Sequence, residues 1–220
     1  MTKVPEEIIP AILSKNLQDF QVDLNKLLNS KNFNSGWVHV DFMDNIFVPN
    51  ISMSPDDLSG TDFKSLKKEA HLMVIEPESW IEKLLKLVFE RIIIHIEAKG
   101  DIAGYLKLIK SSGVESILAI NPGTPIESLS PYAQLIDRIL VMGVVPGFQG
   151  QPFVPETIDR IKEIKSKGWP VKIAVDGAVK DTNARAILNA GVDSIILGSF
   201  LMRGDPDENL ARLKASLDLS

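Results

Sequence analysis

Arg91-Ile92-Ile93-Ile94-His95-Ile96 is an unbroken apolar run with an imidazole at its end. Strands of this kind, apolar at successive positions, belong to parallel sheets covered by helices on both faces. The neighbouring segments repeat the theme. Ser116 to Ile120, Arg138 to Met142, Val171 to Val175 and Ser194 to Leu197 read as strands on the C-terminal side. On the N-terminal side the strands are Ile8 to Leu13, Trp37 onward, and Glu69 to Val74.

Between them lie helical stripes. Asn16 is placed to cap a helix carrying Leu17, Phe20, Leu24, Leu27 and Leu28. Pro77 sits in a first helical turn ahead of Trp80, Ile81, Leu84 and Leu85. Ile102 to Lys110 is helical and stops at Gly113, Pro155 opens a helix with Ile158, Ile161 and Ile164 in phase, and Asn183 to Asn189 closes at Gly191. Asp205-Pro206 starts the last helix. A short irregular helix is expected after Pro55, and another before Arg138. Eight strand–helix units in 220 residues predict one domain, residues 1–220, folded as an α/β protein of the (β/α)8 TIM-barrel class with parallel strands. An open doubly wound sheet would carry a glycine-rich turn after the first strand, where this chain has Leu13-Ser14-Lys15.

Composition narrows the chemistry. Apolar residues make up 45% and charged residues 24%, ordinary for a globular domain. The net charge of −5 offers no basic field to nucleic acid or an anionic membrane. No apolar stretch approaches the roughly 20 residues of a membrane span. With no cysteine, disulfides and thiolate metal sites are excluded. Met1 to Ile9 shows no apolar run behind a basic flank, so a cytoplasmic location is the expectation.

Within a barrel, functional groups gather at the C-terminal ends of the strands. In Trp37-Val38-His39-Val40-Asp41-Phe42-Met43-Asp44 the two-residue alternation puts Trp37, His39, Asp41 and Met43 on one face, with Val38, Val40 and Phe42 on the other. Alone, His39 and Asp41 read equally as a core hydrogen bond or as metal ligands. All three histidines of the chain, His39, His71 and His95, fall in or near the ends of consecutive strands, and Asp176 ends the seventh. That shared rim favours a site. His39, Asp41, His71 and Asp176 then form a candidate cage for one divalent metal ion. Nitrogen and oxygen donors without sulfur suit zinc, ferrous iron, manganese or cobalt. His95 is open between a site role and packing. Met43, Met73 and Met142 are either core filler or an apolar collar that keeps water out.

Pro146-Gly147-Phe148-Gln149-Gly150, Gly177 and Gly198-Ser199 follow the last three strands, where barrels commonly bind phosphate through backbone N–H groups and a short helix. Each glycine could instead serve only a turn.

At these residues the sequence resembles the ribulose-phosphate 3-epimerase family. The similar segments are His39 to Asp44 with Phe47-Val48-Pro49-Asn50, His71-Leu72-Met73, Asn121 to Pro125, Val141-Met142 with Pro146-Gly147-Phe148, Gly150-Gln151, Val175-Asp176-Gly177 and Gly198-Ser199. They span nearly the whole chain in the family's order. The resemblance implies that His39, Asp41, His71 and Asp176 hold the metal, with Asp41 and Asp176 as the acid/base pair. It implies substrate or phosphate contacts from His71, Gly147, Phe148, Gln149, Gly150, Gly177, Ala178, Gly198 and Ser199. The implied reaction interconverts D-ribulose 5-phosphate and D-xylulose 5-phosphate at C3 through a metal-stabilised enediolate, in a protein that self-associates as a homo-oligomer. Inverting a carbon beside a ketone needs a proton removed from one face and another returned on the opposite face, work that two carboxylates can share.

The chain departs from the family at Ala11, where a serine is usual, at Asn45, Gln149 and Ala178, where glycines are usual, and at Val145 and Phe200. These departures leave open a 3-epimerase of another phosphorylated ketose, such as allulose 6-phosphate, or a non-catalytic phosphosugar-binding barrel. Barrel decarboxylases acting on phosphorylated ligands carry Asp-x-Lys-x-x-Asp, whereas this chain has Asp41-Phe42-Met43-Asp44 without the lysine.

Overall fold

Eight strands run in chain order around a closed barrel in the computed structural model, which describes residues 4–148 and 150–218. They are β1 (Glu7–Ile12), β2 (Gly36–Met43), β3 (Leu66–Met73), β4 (Arg91–His95), β5 (Glu115–Ile120), β6 (Arg138–Met142), β7 (Lys172–Asp176) and β8 (Ser194–Leu197). Every neighbouring pair is parallel, and β8 returns to β1. The helices are α1 (Leu17–Asn29), α2 (Glu78–Lys86), α3 (Ile102–Ser111), α4 (Thr157–Ser166), α5 (Ala184–Ala190), α6 (Ser199–Met202) and α7 (Pro206–Ser216).

Local chemistry sets the boundaries. The Asn16 side chain accepts a hydrogen bond from the Asp19 backbone N–H at 2.9 Å, capping α1 as predicted. Gly191 ends α5 with φ 114°, a left-handed conformation that costs glycine no Cβ clash. Asp205 caps α7 ahead of Pro206. The irregular segments expected after Pro55 and before Arg138 are 3₁₀ turns, Pro55–Leu58 and Ile126–Tyr132. Pro131 removes a backbone donor inside the second, which keeps it from becoming an α-helix. β3 starts at Leu66, three residues before the predicted Glu69, because β2 pairs with it over its whole length, from Gly36↔Leu66 to Met43↔Met73. Lys67 and Lys68 disguise that start. They lie alongside apolar neighbours, with the Lys67 ammonium over the Trp37 ring and the Lys68 Nζ donating to the Leu87 carbonyl.

The alternation read in β2 is the alternation observed. Val38, Val40 and Phe42 join the layer between strands and helices, which includes Leu72, Ile92, Ile94 and Leu118. Inward-facing Ile9, Ile93, Ile117, Leu140, Ala174 and Ile196 fill the barrel, with Trp37 packed against them. A register slip of one residue would exchange the two sets, so packing fixes the register.

At the N-terminal end of the barrel the filling is ionic. Arg91 bonds Glu7 at 2.9 Å and Glu115 at 2.7 Å, and reaches Glu69 at 3.3 Å. Its guanidinium lies 3.5 Å from the centre of the Trp37 ring. Arg138 adds contacts to Glu7 at 3.2 Å and Glu115 at 3.3 Å. This plug and the apolar layer above it close one end, leaving the C-terminal mouth for a site.

Candidate active site

The mouth is a cavity whose floor carries Asp41 from β2 and Asp176 from the tip of β7. Register explains the convergence. Asp41 pairs with His71 across β2 and β3, and Asp176 pairs with Met142 across β7 and β6. One ligand atom from each of His39, Asp41, His71 and Asp176 lies within 4.8 Å of the others, so the structure gathers all four predicted metal-site residues. The imidazoles are sealed behind the carboxylates. Side-chain exposure is 0% for His39 and His71, against 11% for Asp41 and 14% for Asp176.

Two imidazole nitrogens and two carboxylate oxygens at these separations fit a divalent cation of borderline softness. Burying the two carboxylates so close together needs positive charge between them. The imidazoles also contact these carboxylates directly. His39 Nε2 is 3.2 Å from Asp41 Oδ1. His71 Nδ1 is 3.0 Å from the same oxygen and 3.7 Å from Asp176 Oδ2.

The electrostatics separate the two acids. Burial raises Asp41, but the bonds from His39 and His71 outweigh it and hold the carboxyl below the usual range. Asp176 is pushed up, first by burial and then by the neighbouring Asp41 charge, with His39 and His71 opposing incompletely. Burial lowers His39, yet the contacts with Asp41 and Glu69 raise it well above an ordinary histidine. Paired groups driven apart in this way are the pattern of a base beside an acid.

Met43, Met73 and Met142 line the same cavity, as do Gly147, Phe148, Gly150, Gly177, Ala178, Gly198 and Ser199. Gln149 lies outside the described residues. Gly177 has φ 104°, and a Cβ there would come within 2.7 Å of the Val144 side chain, so the β6 and β7 loops approach this closely only through glycine. The next residue, Ala178, holds φ 54°, and Asn45 holds φ 61°. Both non-glycine departures therefore sit in the left-handed region, which is costly for alanine and milder for asparagine. Ala11 and Phe200 also line the cavity.

The loops over the cavity are cross-tied. Asp44 accepts from the backbone N–H groups of Ile46 and Phe47 and from that of Ile75, holding the loop after β2. Asn50 Nδ2 donates to the Gly147 carbonyl at 2.7 Å, joining this loop to the one after β6. Ile46, Ile51, Val145 and Phe148 are exposed along these two loops, and Phe148 also lines the cavity.

Three residues near the cluster are new or newly placed. Glu69, buried at the level of Arg91, lies 2.7 Å from His39 Nδ1. His95, whose place the sequence leaves open, is fully buried behind the site with its Nε2 2.9 Å from His71 Nε2. Burial lowers its basicity to about 4. Glu97 follows, 3.2 Å from His95 Nδ1. The signal for Glu69 is periodic: Lys67, Glu69, His71 and Met73 share the inward face of β3, and the register sets Glu69 beside His39.

Fold and site together define a (β/α)8 barrel with a cluster of imidazoles and carboxylates at its C-terminal mouth. The chain belongs to the ribulose-phosphate 3-epimerase family, whose model matches residues 7–202, and it is an epimerase. It is 31% identical to the ribulose-phosphate 3-epimerase of Candida glabrata over 94% of this chain and 90% of that protein. It is 35% identical to that of Chlamydia muridarum over 76% of this chain and 77% of that one. Among solved structures, 3-keto-L-gulonate-6-phosphate decarboxylase from Vibrio cholerae superposes with a TM-score of 0.74 over 99% of this chain and 98% of that one, at 12% identity. 3-Hexulose-6-phosphate synthase from Salmonella typhimurium gives 0.72, covering 96% of this chain and 98% of the other, at 11% identity. At such identities these two show the fold alone. No described helix is long and apolar enough to cross a membrane.

Proposed function

We propose that this protein interconverts D-ribulose 5-phosphate and D-xylulose 5-phosphate by inverting C3, with a divalent ion held by His39, Asp41, His71 and Asp176. The observation that carries this reading is the pair of carboxylates at the cavity floor, backed by two buried imidazoles whose nitrogens converge with theirs. When bound, the ion supplies Lewis acidity for negative charge developing on the substrate oxygens. The chain's own residues do the rest. Asp41 takes the C3 proton of one epimer, and Asp176 returns one to the opposite face, these being the two carboxylates of the cluster that reach the cavity. Backbone around Gly147 to Gly150, Gly177-Ala178 and Gly198-Ser199 receives the phosphate, in keeping with a chain of net negative charge. Met43, Met73 and Met142 exclude water from the reacting carbons.

The test is turnover of D-ribulose 5-phosphate by purified protein before and after chelation, with zinc, ferrous iron, manganese and cobalt restored separately. Activity should vanish on chelation and return with at least one metal. Failure to turn over with every metal supplied would sink the reading. A second reading, 3-epimerisation of another phosphorylated ketose such as allulose 6-phosphate, is favoured by Ala11 and Phe200 in the cavity wall. A higher kcat/KM for that substrate would select it.

A further inference from the structure

His71 touches the carboxylates through Nδ1 and touches His95 through Nε2. If Nδ1 is to donate its lone pair to a cation, the single proton of a neutral imidazole must sit on Nε2, where it faces His95 Nε2 at 2.9 Å. That contact is a hydrogen bond only if His95 accepts. His95 must then carry its own proton on Nδ1, aimed at Glu97 Oε2 at 3.2 Å. Glu97 is committed on its other side. Its Oε1 accepts from the Asn121 backbone N–H at 2.9 Å and from the Thr124 hydroxyl at 2.5 Å. Thr124 is itself anchored, because its carbonyl accepts from Arg160 Nη2 at 2.8 Å.

We propose that His95 and Glu97 are positioning residues for His71: Glu97 fixes the His95 tautomer, which fixes the His71 tautomer and leaves Nδ1 bare toward Asp41 and Asp176. His95 does not line the cavity, so it acts through His71. The near-parallel stacking of the two rings, with centroids 5.1 Å apart and planes 19° apart, holds them in this relation. Phe47 closes the remaining side of His95 at 4.8 Å. His39 is arranged the opposite way, with Nδ1 against Glu69 and Nε2 toward Asp41. The two imidazoles therefore present different nitrogens to the same point. This inference rests on the metal reading above.

Glu97→Gln is the discriminating variant. Its amide oxygen stays with Asn121 and Thr124, so its N–H group turns toward His95 Nδ1. That forces the His95 proton onto Nε2, against the proton of His71. Affinity for Zn²⁺ and Co²⁺, measured by chelator competition on metal-free protein, should fall about 10- to 100-fold, as should that of His95→Leu. His95→Gln keeps an acceptor near the Nε2 position and should stay within about threefold of the parent. In the His95→Leu background, adding Glu97→Gln should change affinity less than about twofold, because the coupled partner is gone. Long-range ¹⁵N spectra of the zinc-loaded parent should show His39 and His95 protonated on Nδ1 and His71 on Nε2. Melting of the metal-free variants identifies any that fail to fold, and Glu97→Gln with the parent spectra then decides alone. A His95 proton on Nε2 in the parent, or parent-like zinc affinity in Glu97→Gln, overturns the proposal. A parent that binds neither ion overturns the metal reading first, and this proposal with it.

Discussion

Asp41 and Asp176 reach the cavity floor from β2 and β7, strands separated in the ring by β1 and β8, and their surroundings drive their carboxyls in opposite directions. In a one-carboxylate site, the same group would have to remove and return the proton on a single face. Two acids of unlike proton affinity can divide the two faces. Asp41→Asn and Asp176→Asn should each lower kcat about 10²- to 10⁴-fold, the usual range for a lost general acid or base. Because Asp41 remains in Asp176→Asn, that variant should still exchange the C3 hydrogen of one epimer with deuterated water much faster than it inverts it. Equal loss of exchange for both epimers would count against the division of labour.

Arg91 is an energetic keystone rather than a reacting group. It is nearly fully buried and faces Glu7, Glu69 and Glu115. Arg91→Met leaves those acids with Arg138 as their remaining guanidinium partner, and breaking a buried pair from one side costs about 3–5 kcal/mol. The loss should be near the lower end, since Glu7 and Glu115 retain 22% and 28% side-chain exposure. Denaturant unfolding at neutral pH measures it. A loss below about 1 kcal/mol would mean that the plug is electrostatically idle.

Ala178 holds φ 54° beside Gly177. Glycine carries no Cβ penalty there, so Ala178→Gly should raise stability by about 0.5–1 kcal/mol despite its greater freedom when unfolded. Asn45→Gly should gain less, because asparagine tolerates this region. Thermal midpoints of the two variants, read side by side, check the order.

Asp207 supplies a pH dependence far from the site. It accepts from the Ser30 hydroxyl at 2.6 Å and from the Lys31 and Asn32 backbone N–H groups, tying α7 to the end of α1. Slight burial raises its carboxyl, but these bonds prevail and bring it from 3.8 down to about 2. A lowered acid stabilises the fold above its unfolded value and loses that contribution as pH falls through the folded one. The window is therefore about pH 4 down to pH 2. Asp207→Asn should cost about 1 kcal/mol at pH 7, discounted for solvent access, and the gap to the parent should close across that window. A gap that is unchanged at pH 2 would assign the loss to something other than the charge.

Much of this was legible in the chain. The eight-fold alternation survives because each strand is apolar enough to announce itself, and the inward pattern of β2 follows from a period of two. His39, Asp41, His71 and Asp176 stand out because imidazoles and carboxylates at strand ends are expensive to bury without a purpose. What escaped depends on register between strands. Glu69 looks like a surface residue after Lys67-Lys68, and only its pairing opposite His39 reveals it as a partner of that imidazole. Glu97 lies beyond the end of β4, where two residues of loop carry it back toward His95. The four-residue α6 escaped for another reason: a segment that short leaves too little periodicity to read.

The ionic plug at the foot of the barrel has a consequence for traffic. With that end shut and the His39 and His71 side chains fully buried, Asp41 and Asp176 are the members of the four that reach solvent, at 11% and 14% side-chain exposure. On the proposed reading, a cation held by the four would load before the sugar, and a seated sugar would act as a stopper. Saturating phosphosugar should accordingly slow stripping of the ion by a chelator, with no lid having to move.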